Sequence, residues 1–190
     1  MGFLLAGGKS SRMGADKAFL EFRGRTLLER ALAVIGQVCP SVAIVGSPAQ
    51  FSNYGPVVED VYSGCGPLAG IHAGLARSSA ELNLMLAVDM PFVSEDLLAY
   101  LFTVAEQSSA VVTAPRTAKG LQPLCAVYRR EFANVADLAL RAGRYKIDAT
   151  FGGLSTRIIE EGELEKAGFS ERNFFNVNTP EDRHAAEETS

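Results

Sequence analysis

The sequence lacks several features that mark specialised classes of protein. It has no tryptophan, two histidines and three cysteines among 190 residues. The cysteines, Cys39, Cys65 and Cys125, are far apart and form no C-x-x-C pair. This spacing argues against a disulfide framework or a zinc site and is typical of a protein of the reducing cytosol. We therefore predict a cytoplasmic protein whose cysteines are small core or loop residues rather than nucleophiles.

Charge and hydropathy argue against two further classes. Acidic residues outnumber basic ones by 22 to 18, so the net charge is −4, and the chain has no basic tract. A nucleic-acid-binding protein needs such a tract, because phosphate neutralisation dominates its affinity. No apolar run approaches the roughly 18 residues of a membrane-spanning helix, and no signal peptide is visible. The sequence predicts no nucleic-acid partner and no membrane association.

Short apolar runs alternate with helix-length amphipathic stretches, a pattern typical of a mostly parallel sheet covered by helices. The apolar runs predict strands at residues 2–6, 42–45, 57–58, 83–88, 110–114, 123–128 and 154–160. Amphipathic periodicity and cap residues predict helices at 26–38, 67–77, 94–106, 131–141 and 179–188. Residues 116–121 are the most loop-like interior stretch, and residues 143–153 fit neither pattern. Without a repeat or linker, we expect one α/β domain spanning residues 1–190.

The strongest candidate for a functional site is the stretch LAGGKSSRMGADK, residues 5–17, which follows the first predicted strand. Gly7 and Gly8 have no Cβ, so the backbone there can approach a phosphate closely, and successive N–H groups can surround an anion. Three cations fall within nine residues of an otherwise acidic chain: Lys9, Arg12 and Lys17. The spacing matches neither the P-loop nor the G-x-G-x-x-G fingerprint, which argues against an NAD-dependent dehydrogenase. We interpret this loop as a phosphate-binding loop.

Acidic residues follow two other predicted strands. Asp89 comes directly after the strand at 83–88, and the carboxyl ends of parallel strands are where such sheets bind ligands. In phosphate sites Mg²⁺ uses one or two carboxylates, so a single aspartate suffices as its protein ligand; a turn or helix-capping role is the alternative for Asp89. Asp60 follows the strand at 57–58 and precedes a glycine-rich turn. A carboxylate there can accept hydrogen bonds from a base or a ribose.

The first loop resembles the signature of nucleotidyltransferases that act on the molybdenum cofactor and on sugar phosphates. Four more motifs occur in the same order as in one family: GPLAGI (66–71), LAVDMPF (86–92), QPLCAVYR (122–129) and NVNTPED (176–182). Together they narrow the resemblance to the molybdenum cofactor guanylyltransferases, over nearly the whole chain. The resemblance implies a Rossmann-like three-layer sandwich of the nucleotide-diphospho-sugar transferase type. Its sheet is expected to be mostly parallel with one antiparallel strand.

The resemblance also implies a reaction and a site. The reaction transfers GMP from GTP to the phosphate of molybdopterin or the molybdenum cofactor, with Mg²⁺, and releases pyrophosphate. By position, the nucleotide is bound by Leu5, Ala6, Gly7, Gly8, Lys17, Asp60 and Asp89. Catalysis is assigned to Arg12, Lys17 and Asp89, and the metal to Asp89. Asn176 and Asn178 are expected on the pterin side of the cleft, with Asn178 near the metal.

Other functions stay open from the sequence. An asparagine that contacts the nucleotide in some relatives is Gly46 here, so a contact at this position would use the backbone. A cytidylyltransferase, expected to carry Ala-Ala-Gly at positions 6–8, and a sugar-phosphate nucleotidyltransferase are close alternatives. A non-catalytic adaptor for nucleotide or cofactor is another, although it would not need both Lys17 and Asp89. The resemblance also implies transient contact with other cofactor-biosynthesis proteins or with acceptor apo-enzymes.

Overall fold

The structure, a computed structural model, describes residues 1–7, 17–179 and 182. Its strands are β1 (Gly2–Leu5), β2 (Glu21–Phe22), β3 (Arg25–Thr26), β4 (Val42–Val45), β5 (Val57–Val58), β6 (Leu82–Ala87), β7 (Val112–Thr117), β8 (Gly120–Leu121), β9 (Cys125–Arg129) and β10 (Thr156–Ile159). Its helices are α1 (Leu27–Val38), α2 (Pro48–Phe51), α3 (Pro67–Arg77), α4 (Glu95–Glu106), α5 (Phe132–Arg141) and α6 (Glu161–Lys166). Short 3₁₀ helices lie at Lys17–Phe19, Asp148–Thr150 and Glu171–Phe174. Within these described ranges, no helix has both the length and the apolarity to cross a bilayer.

The central sheet has the strand order β10-β7-β9-β6-β1-β4-β5. β1 pairs in parallel with β4 and β6, and β4 pairs in parallel with β5. β9 is antiparallel to both of its neighbours, β6 and β7, as the family resemblance implied. The small strand β8 adds a third antiparallel pair to this sheet, on the end of β7. The block β6-β1-β4-β5 therefore consists of parallel strands whose carboxyl ends share one edge.

Helices cover both faces of this sheet. Side chains alternate along β1, because successive residues of a strand point to opposite faces. Leu4 packs in the core that contains residues of α1 and α4, whereas Phe3 and Leu5 pack in the core with α3 and α5. A Cβ on Gly74 of α3 would lie 2.9 Å from the ring of Phe3, so this helix sits closer to the sheet than an alanine would permit. The predicted three-layer sandwich is confirmed.

The predicted elements differ from the structure mainly at their ends and in the shortest pieces. Residues 116–121, predicted as loop, instead contain the hairpin between β7 and β8, which turns through Gly120 at φ 107°. The strand predicted at 110–114 lies at Val112–Thr117. Its ends are set by pairing with β10 and β8, and not by where its apolar residues begin and end. The two-residue strands β2 and β3 are too short for a detectable period. The helix predicted at 179–188 lies almost wholly outside the described residues.

The start of α1 shows why local sequence places it well. The N–H of Glu29 donates to Thr26 Oγ1 at 3.2 Å, and the N–H of Thr26 donates to Glu29 Oε2 at 2.9 Å. This reciprocal arrangement satisfies backbone donors that the first turn of a helix otherwise leaves unpaired. Leu27, Leu28, Ala31 and Ile35 of the same helix are buried against the sheet. The cap and the apolar face therefore specify the same helix.

Thr26→Ala is expected to lower the free energy of unfolding by about 1 kcal/mol, because it removes the side-chain acceptor of this cap. For a chain of this size that corresponds to a melting temperature lower by about 2–4 °C, measurable by calorimetry. Thr103→Ala in α4 is the matched control. Thr103 is exposed and its hydroxyl donates to the carbonyl of Ala99 at 3.0 Å inside the helix, so its replacement should be neutral or slightly stabilising. Equal losses in both variants would contradict the capping role.

Candidate active site at the carboxyl edge of the sheet

The carboxyl ends of four parallel strands bring the predicted site residues to one edge. Leu5 of β1 is in register with Val45 of β4 and with Ala87 of β6, and Val45 is in register with Val58 of β5. The residues that follow these strand ends are therefore neighbours in space: Ala6 and Gly7, Gly46, Glu59 and Asp60, and Val88 and Asp89. The antiparallel β9 starts at the same edge, where the N–H of Ala87 donates to the carbonyl of Leu124 at 2.7 Å.

Lys17 joins two of the predicted site residues through its ammonium group. Its Nζ donates to Asp89 Oδ2 at 2.9 Å and also to Asn178 Oδ1. The side chains of Lys17 and Asp89 are 21% and 19% exposed, so water screens the pair only in part while a ligand can still reach it. The three residues come from distant parts of the chain, and only the folded sheet edge brings them together.

Asn178 can contact Lys17 because a backbone hydrogen bond holds the neighbouring residue Val177 against Asp89. The N–H of Val177 donates to the carbonyl of Asp89 at 2.8 Å, and the Val177 side chain is fully buried. On the other side, Asp182 Oδ2 accepts from the N–H groups of Asn178 and Thr179 at 2.8 and 2.9 Å. The NVNTPED motif thus serves to hold one amide side chain against the lysine.

The predicted contacts of β1 with a nucleotide are restricted by the sheet itself. The N–H groups of Ala6 and Gly7 both donate to the carbonyl of Val45, at 3.1 and 3.0 Å, and the carbonyl of Leu5 accepts from Val88 at 3.1 Å. Gly7 is exposed, whereas Leu5 and Ala6 are buried. A nucleotide contact by Ala6 or Gly7 in this conformation would therefore use their carbonyl oxygens. Two further predicted site residues, Gly8 and Arg12, lie outside the described residues.

Close packing against Phe51 explains why position 46 is a glycine. A Cβ there would lie 2.7 Å from the ring of Phe51, which is fully buried. The N–H of Gly46 donates to the carbonyl of Val58 at 3.0 Å, which ties this turn to the end of β5. An asparagine at this position would require Phe51 to move. The presence of glycine instead of asparagine at position 46 is therefore linked to the way Phe51 of α2 packs.

Asp60 lies in the loop 59–66, between β5 and α3. Its Oδ1 accepts from the N–H of Tyr62 at 2.7 Å, which turns the carboxylate toward its own loop. The loop ends with Gly64 and Gly66 at φ 78° and 76°, backbone angles that suit glycine, before Pro67 begins α3. Asp60 follows the end of β5 at the sheet edge and is half-buried.

Beside the lysine cluster lies a cleft of about 580 Å³. Asn176 lines it, and the Oδ1 atom of this side chain is buried without a hydrogen-bond partner in the described part of the structure. A buried amide oxygen without a partner is costly, so it marks a place where a ligand donor is expected. Met90, the neighbour of Asp89, also lines the cleft. The remaining walls include Gln122, Tyr145, Lys146 and Asp148.

Some of these lining residues were not identified from the sequence. Gln122 belongs to the QPLCAVYR motif, but the motif by itself gave no role for its first residue. Tyr145 lies in the stretch 143–153, which fitted no secondary-structure pattern. Both residues lie in loops outside the regular helices and strands. No periodic pattern in the sequence could therefore predict that they line the cleft.

Cys39 and Cys125 lie in the core and Cys65 lies in the loop 59–66, as predicted. Cys39 and Cys125 are buried and Cys65 is partly exposed, and all three are free thiols. Burial raises the pKa of the Cys125 thiol to about 12, so it stays neutral at physiological pH and is a poor nucleophile. Burial also raises the pKa of Cys39. These two cysteines serve as small core residues.

The cluster around Lys17 suits a divalent cation of the Mg²⁺ type. Asp89 Oδ2 and Asn178 Oδ1 already converge on one positive charge, the lysine ammonium, and both are the hard oxygen ligands that Mg²⁺ prefers. In the part of the chain that the structure describes, no group of three or more His, Cys, Asp or Glu side chains could hold a metal ion. Such a cage is not needed where phosphate oxygens and water complete the coordination.

Comparison with known proteins identifies relatives over most of the chain. A family model described as the MobA-like NTP transferase domain matches residues 2–157. A molybdenum cofactor guanylyltransferase of Desulfosudis oleivorans is 34% identical over 189 residues, which cover 98% of this chain and 93% of the relative. The crystal structure of molybdopterin-guanine dinucleotide biosynthesis protein A from Archaeoglobus fulgidus matches with a TM-score of 0.84 and 29% identity, covering 98% of this chain and 96% of that one.

A more distant match agrees with the fold alone. The 2-C-methyl-D-erythritol 4-phosphate cytidylyltransferase of Thermus thermophilus has a TM-score of 0.70 and 21% identity, covering 98% of this chain and 96% of that one. The predicted nucleotide-diphospho-sugar transferase type of fold is confirmed by these matches. Because the family model spans far more than half of the chain, this protein belongs to the MobA-like NTP transferase family.

Proposed function

We propose that this protein transfers GMP from GTP to the phosphate of molybdopterin or the molybdenum cofactor, giving the guanine dinucleotide form and pyrophosphate. The observation that carries the proposal is the contact of Lys17 with Asp89 and Asn178, directly beside the cleft that contains Asn176. This contact supports a phosphate-binding role for the Lys17 cation and a metal-binding role for the two oxygens, next to room for a second substrate. The 34% identical relative from Desulfosudis oleivorans is named a molybdenum cofactor guanylyltransferase, which supports the same reaction.

The proposed chemistry needs little from the protein beyond positioning. An oxygen of the cofactor's terminal phosphate attacks the α-phosphorus of GTP in line, and the bond to the bridging oxygen of the β-phosphate breaks. The pyrophosphate leaves with that electron pair. Because the second pKa of a phosphate monoester is about 6, the nucleophile is already mostly ionised at pH 7 and no strong base is required. Catalysis then consists of alignment and charge stabilisation.

Each site residue has a role in this proposal. The backbone of Leu5, Ala6, Gly7 and Gly8 lines the nucleotide, and Asp60 accepts hydrogen bonds from guanosine. Lys17 and Arg12 offset negative charge on the phosphates. Asp89, with Asn178 beside it, would hold Mg²⁺, and Asn176 faces the pterin substrate. When bound, Mg²⁺ would supply neutralisation of the phosphate oxygens during transfer.

Gly7 bears on the choice between guanylyl and cytidylyl transfer. A Cβ on this residue would meet its nearest atoms at 3.5 Å, an ordinary contact, so the fold itself would accept alanine. Packing therefore does not require glycine at this position. The absence of a side chain leaves open space at the exposed end of β1. This supports a role for Gly7 toward the ligand and favours the guanylyl reaction over the cytidylyl alternative.

Purified protein with Mg²⁺ and molybdopterin-type cofactor is expected to release pyrophosphate at least about tenfold faster with GTP than with CTP or ATP, a ratio that one hydrogen bond to the base can supply. A Lys17→Met preparation measured in parallel controls for contaminating phosphatases. Release with CTP alone would keep the mechanism and contradict the base assignment. No release with any of the three nucleotides would favour the adaptor function.

The proposal extends to the setting of the enzyme. We place it in the cytoplasm as a single nucleotidyltransferase domain over residues 1–190, in keeping with its reduced cysteines. Its product must reach a molybdenum or tungsten enzyme. Transient contact with other cofactor-biosynthesis proteins or with acceptor apo-enzymes is therefore part of the proposal.

A further inference from the structure

The loop 59–66 that carries Asp60 is held through Tyr62. The N–H of Tyr62 donates to Asp60 Oδ1 at 2.7 Å, and its phenol donates to Asp137 Oδ1 of α5 at 2.5 Å. One residue thus touches Asp60 with its backbone and a helix on the neighbouring layer with its side chain. None of the five sequence motifs contains Tyr62 or Asp137.

The acceptor of this phenol is itself fixed. Arg141, one turn along α5, donates from Nε to Asp137 Oδ2 at 2.8 Å. His72 of α3 has its Nε2 atom 3.8 Å from Asp137 Oδ1, and its ring packs against the Tyr62 ring in a T-shaped arrangement with a centroid distance of 5.3 Å. Tyr62 therefore sits between α3 and α5, against a carboxylate whose two oxygens are both engaged.

The ionisation states of the pair favour this hydrogen bond. The bond to Asp137 raises the pKa of Tyr62, and the bond from Tyr62 together with Arg141 lowers the pKa of Asp137. The phenol thus remains a donor and the carboxylate remains a charged acceptor near neutral pH. Hydrogen bonds to charged acceptors are among the stronger ones in proteins.

Besides Tyr62, only Cys65 of this loop packs against the core that contains residues of α3 and α5 among the described residues, and most other side chains of the loop are exposed. Val61 is 76% exposed, and Glu59, Ser63 and Gly64 are exposed as well. Between the described residues of the loop, one backbone hydrogen bond is formed, from Cys65 N–H to the Tyr62 carbonyl at 3.2 Å. The Oδ2 atom of Asp60 makes no hydrogen bond to the described residues. One carboxylate oxygen therefore orients the side chain, and the other is not used by the described residues.

We propose that Tyr62 and Asp137 are positioning residues that hold Asp60 in place for the guanosine of the nucleotide. They act through Asp60 and do not touch the substrate themselves. This inference rests on the proposed function, since it assumes that Asp60 binds guanosine. The loop has no regular secondary structure, and the hydrogen bond of the phenol to Asp137 anchors it to α5. Loss of the phenol is therefore expected to release Asp60 without disturbing the sheet.

Tyr62→Phe is expected to raise the Kd of GTP, measured by titration calorimetry in the absence of the second substrate, by about tenfold. The KM for GTP should rise by a similar factor with kcat at saturation unchanged, because only nucleotide positioning is lost. Tyr100→Phe is the matched control. It removes a phenol that donates to Glu163 Oε1 at 3.2 Å, between α4 and α6, and should leave GTP binding unchanged.

A double-mutant cycle separates positioning from general loosening. In an Asp60→Asn background, Tyr62→Phe should have little further effect on GTP binding, because the residue it positions is already impaired. Asp137→Asn keeps an oxygen acceptor for the phenol and should lose less than Asp137→Ala. A Tyr62→Phe Kd equal to wild type, or an equal loss in the Asp60→Asn background, would overturn the inference. Failure of the wild-type protein to bind GTP would instead refute the proposed function.

Discussion

Replacing Asp89 with alanine is expected to lower kcat for the GTP reaction by about a hundred- to a thousandfold while the protein stays folded. Asp89 places a carboxylate oxygen 2.9 Å from Lys17 at the edge of the sheet, and that oxygen is the proposed metal ligand. Its backbone carbonyl, which receives the Val177 N–H, is unaffected by the substitution. Pyrophosphate release at saturating Mg²⁺ and GTP is the measurement.

The controls for this variant concern folding and charge. Lys17 is 21% exposed and can turn toward water, so losing its partner should change the melting temperature by only a few degrees, about 1 kcal/mol or less of stability. Asp96→Ala removes an exposed carboxylate from the first turn of α4 and should leave kcat unchanged. An Asp89→Ala protein with wild-type kcat at saturating Mg²⁺ would contradict the metal assignment.

Lys17→Met is expected to change turnover and metal binding in opposite directions. Turnover should fall by about a hundredfold, because the phosphates lose a charged hydrogen-bond donor. Binding of Mn²⁺ without nucleotide, followed by electron paramagnetic resonance, should tighten by roughly fivefold or more. The ammonium now lies against both Asp89 and Asn178, and like charges about 4 Å apart repel by at least about 1 kcal/mol even in water.

This pair of readouts distinguishes a phosphate-binding role from a structural one. If Lys17 only stabilised the fold, its replacement would weaken both turnover and metal binding, and the melting temperature would fall with them. Lys17→Arg provides the second variant: it keeps the charge near the two oxygens, so Mn²⁺ binding should stay close to wild type. Mn²⁺ binding that weakens in Lys17→Met would contradict the view that the ammonium occupies the cation position.

The correspondence between sequence and structure differs among elements. Helix α1 was predicted almost to the residue, because Thr26 and Glu29 form a local cap and the apolar face repeats with the helical period. The hairpin of β7 and β8 was missed, since residues 116–121 are polar and its pairing partner lies across a turn. Apolar periodicity predicts elements that bury one face, and it fails for a short hairpin with few apolar residues, even though β7 and β8 pair across the turn at residues 118–119.

The site shows the same division. Lys17, Asp60 and Asp89 were selected because they flank apolar strands and glycine turns. Asn178, predicted to lie near the metal, contacts the same lysine ammonium as Asp89. Tyr62 gave no signal, because an isolated tyrosine in a loop has no pattern that reveals its partner on α5. Gly46 was noted as a difference, but its packing against Phe51 became visible only in the folded chain.

The sequence by itself determined the alternation of strands and helices, the helix caps and the family motifs, because each depends on residues close together along the chain. Only the tertiary structure decided the order β10-β7-β9-β6-β1-β4-β5, the meeting of Lys17 with Asp89 and Asn178, and the cleft beside Asn176. Lys17 contacts partners 72 and 161 positions away. Such contacts depend on how strands pair and helices cover them, and no local pattern of side chains encodes that arrangement.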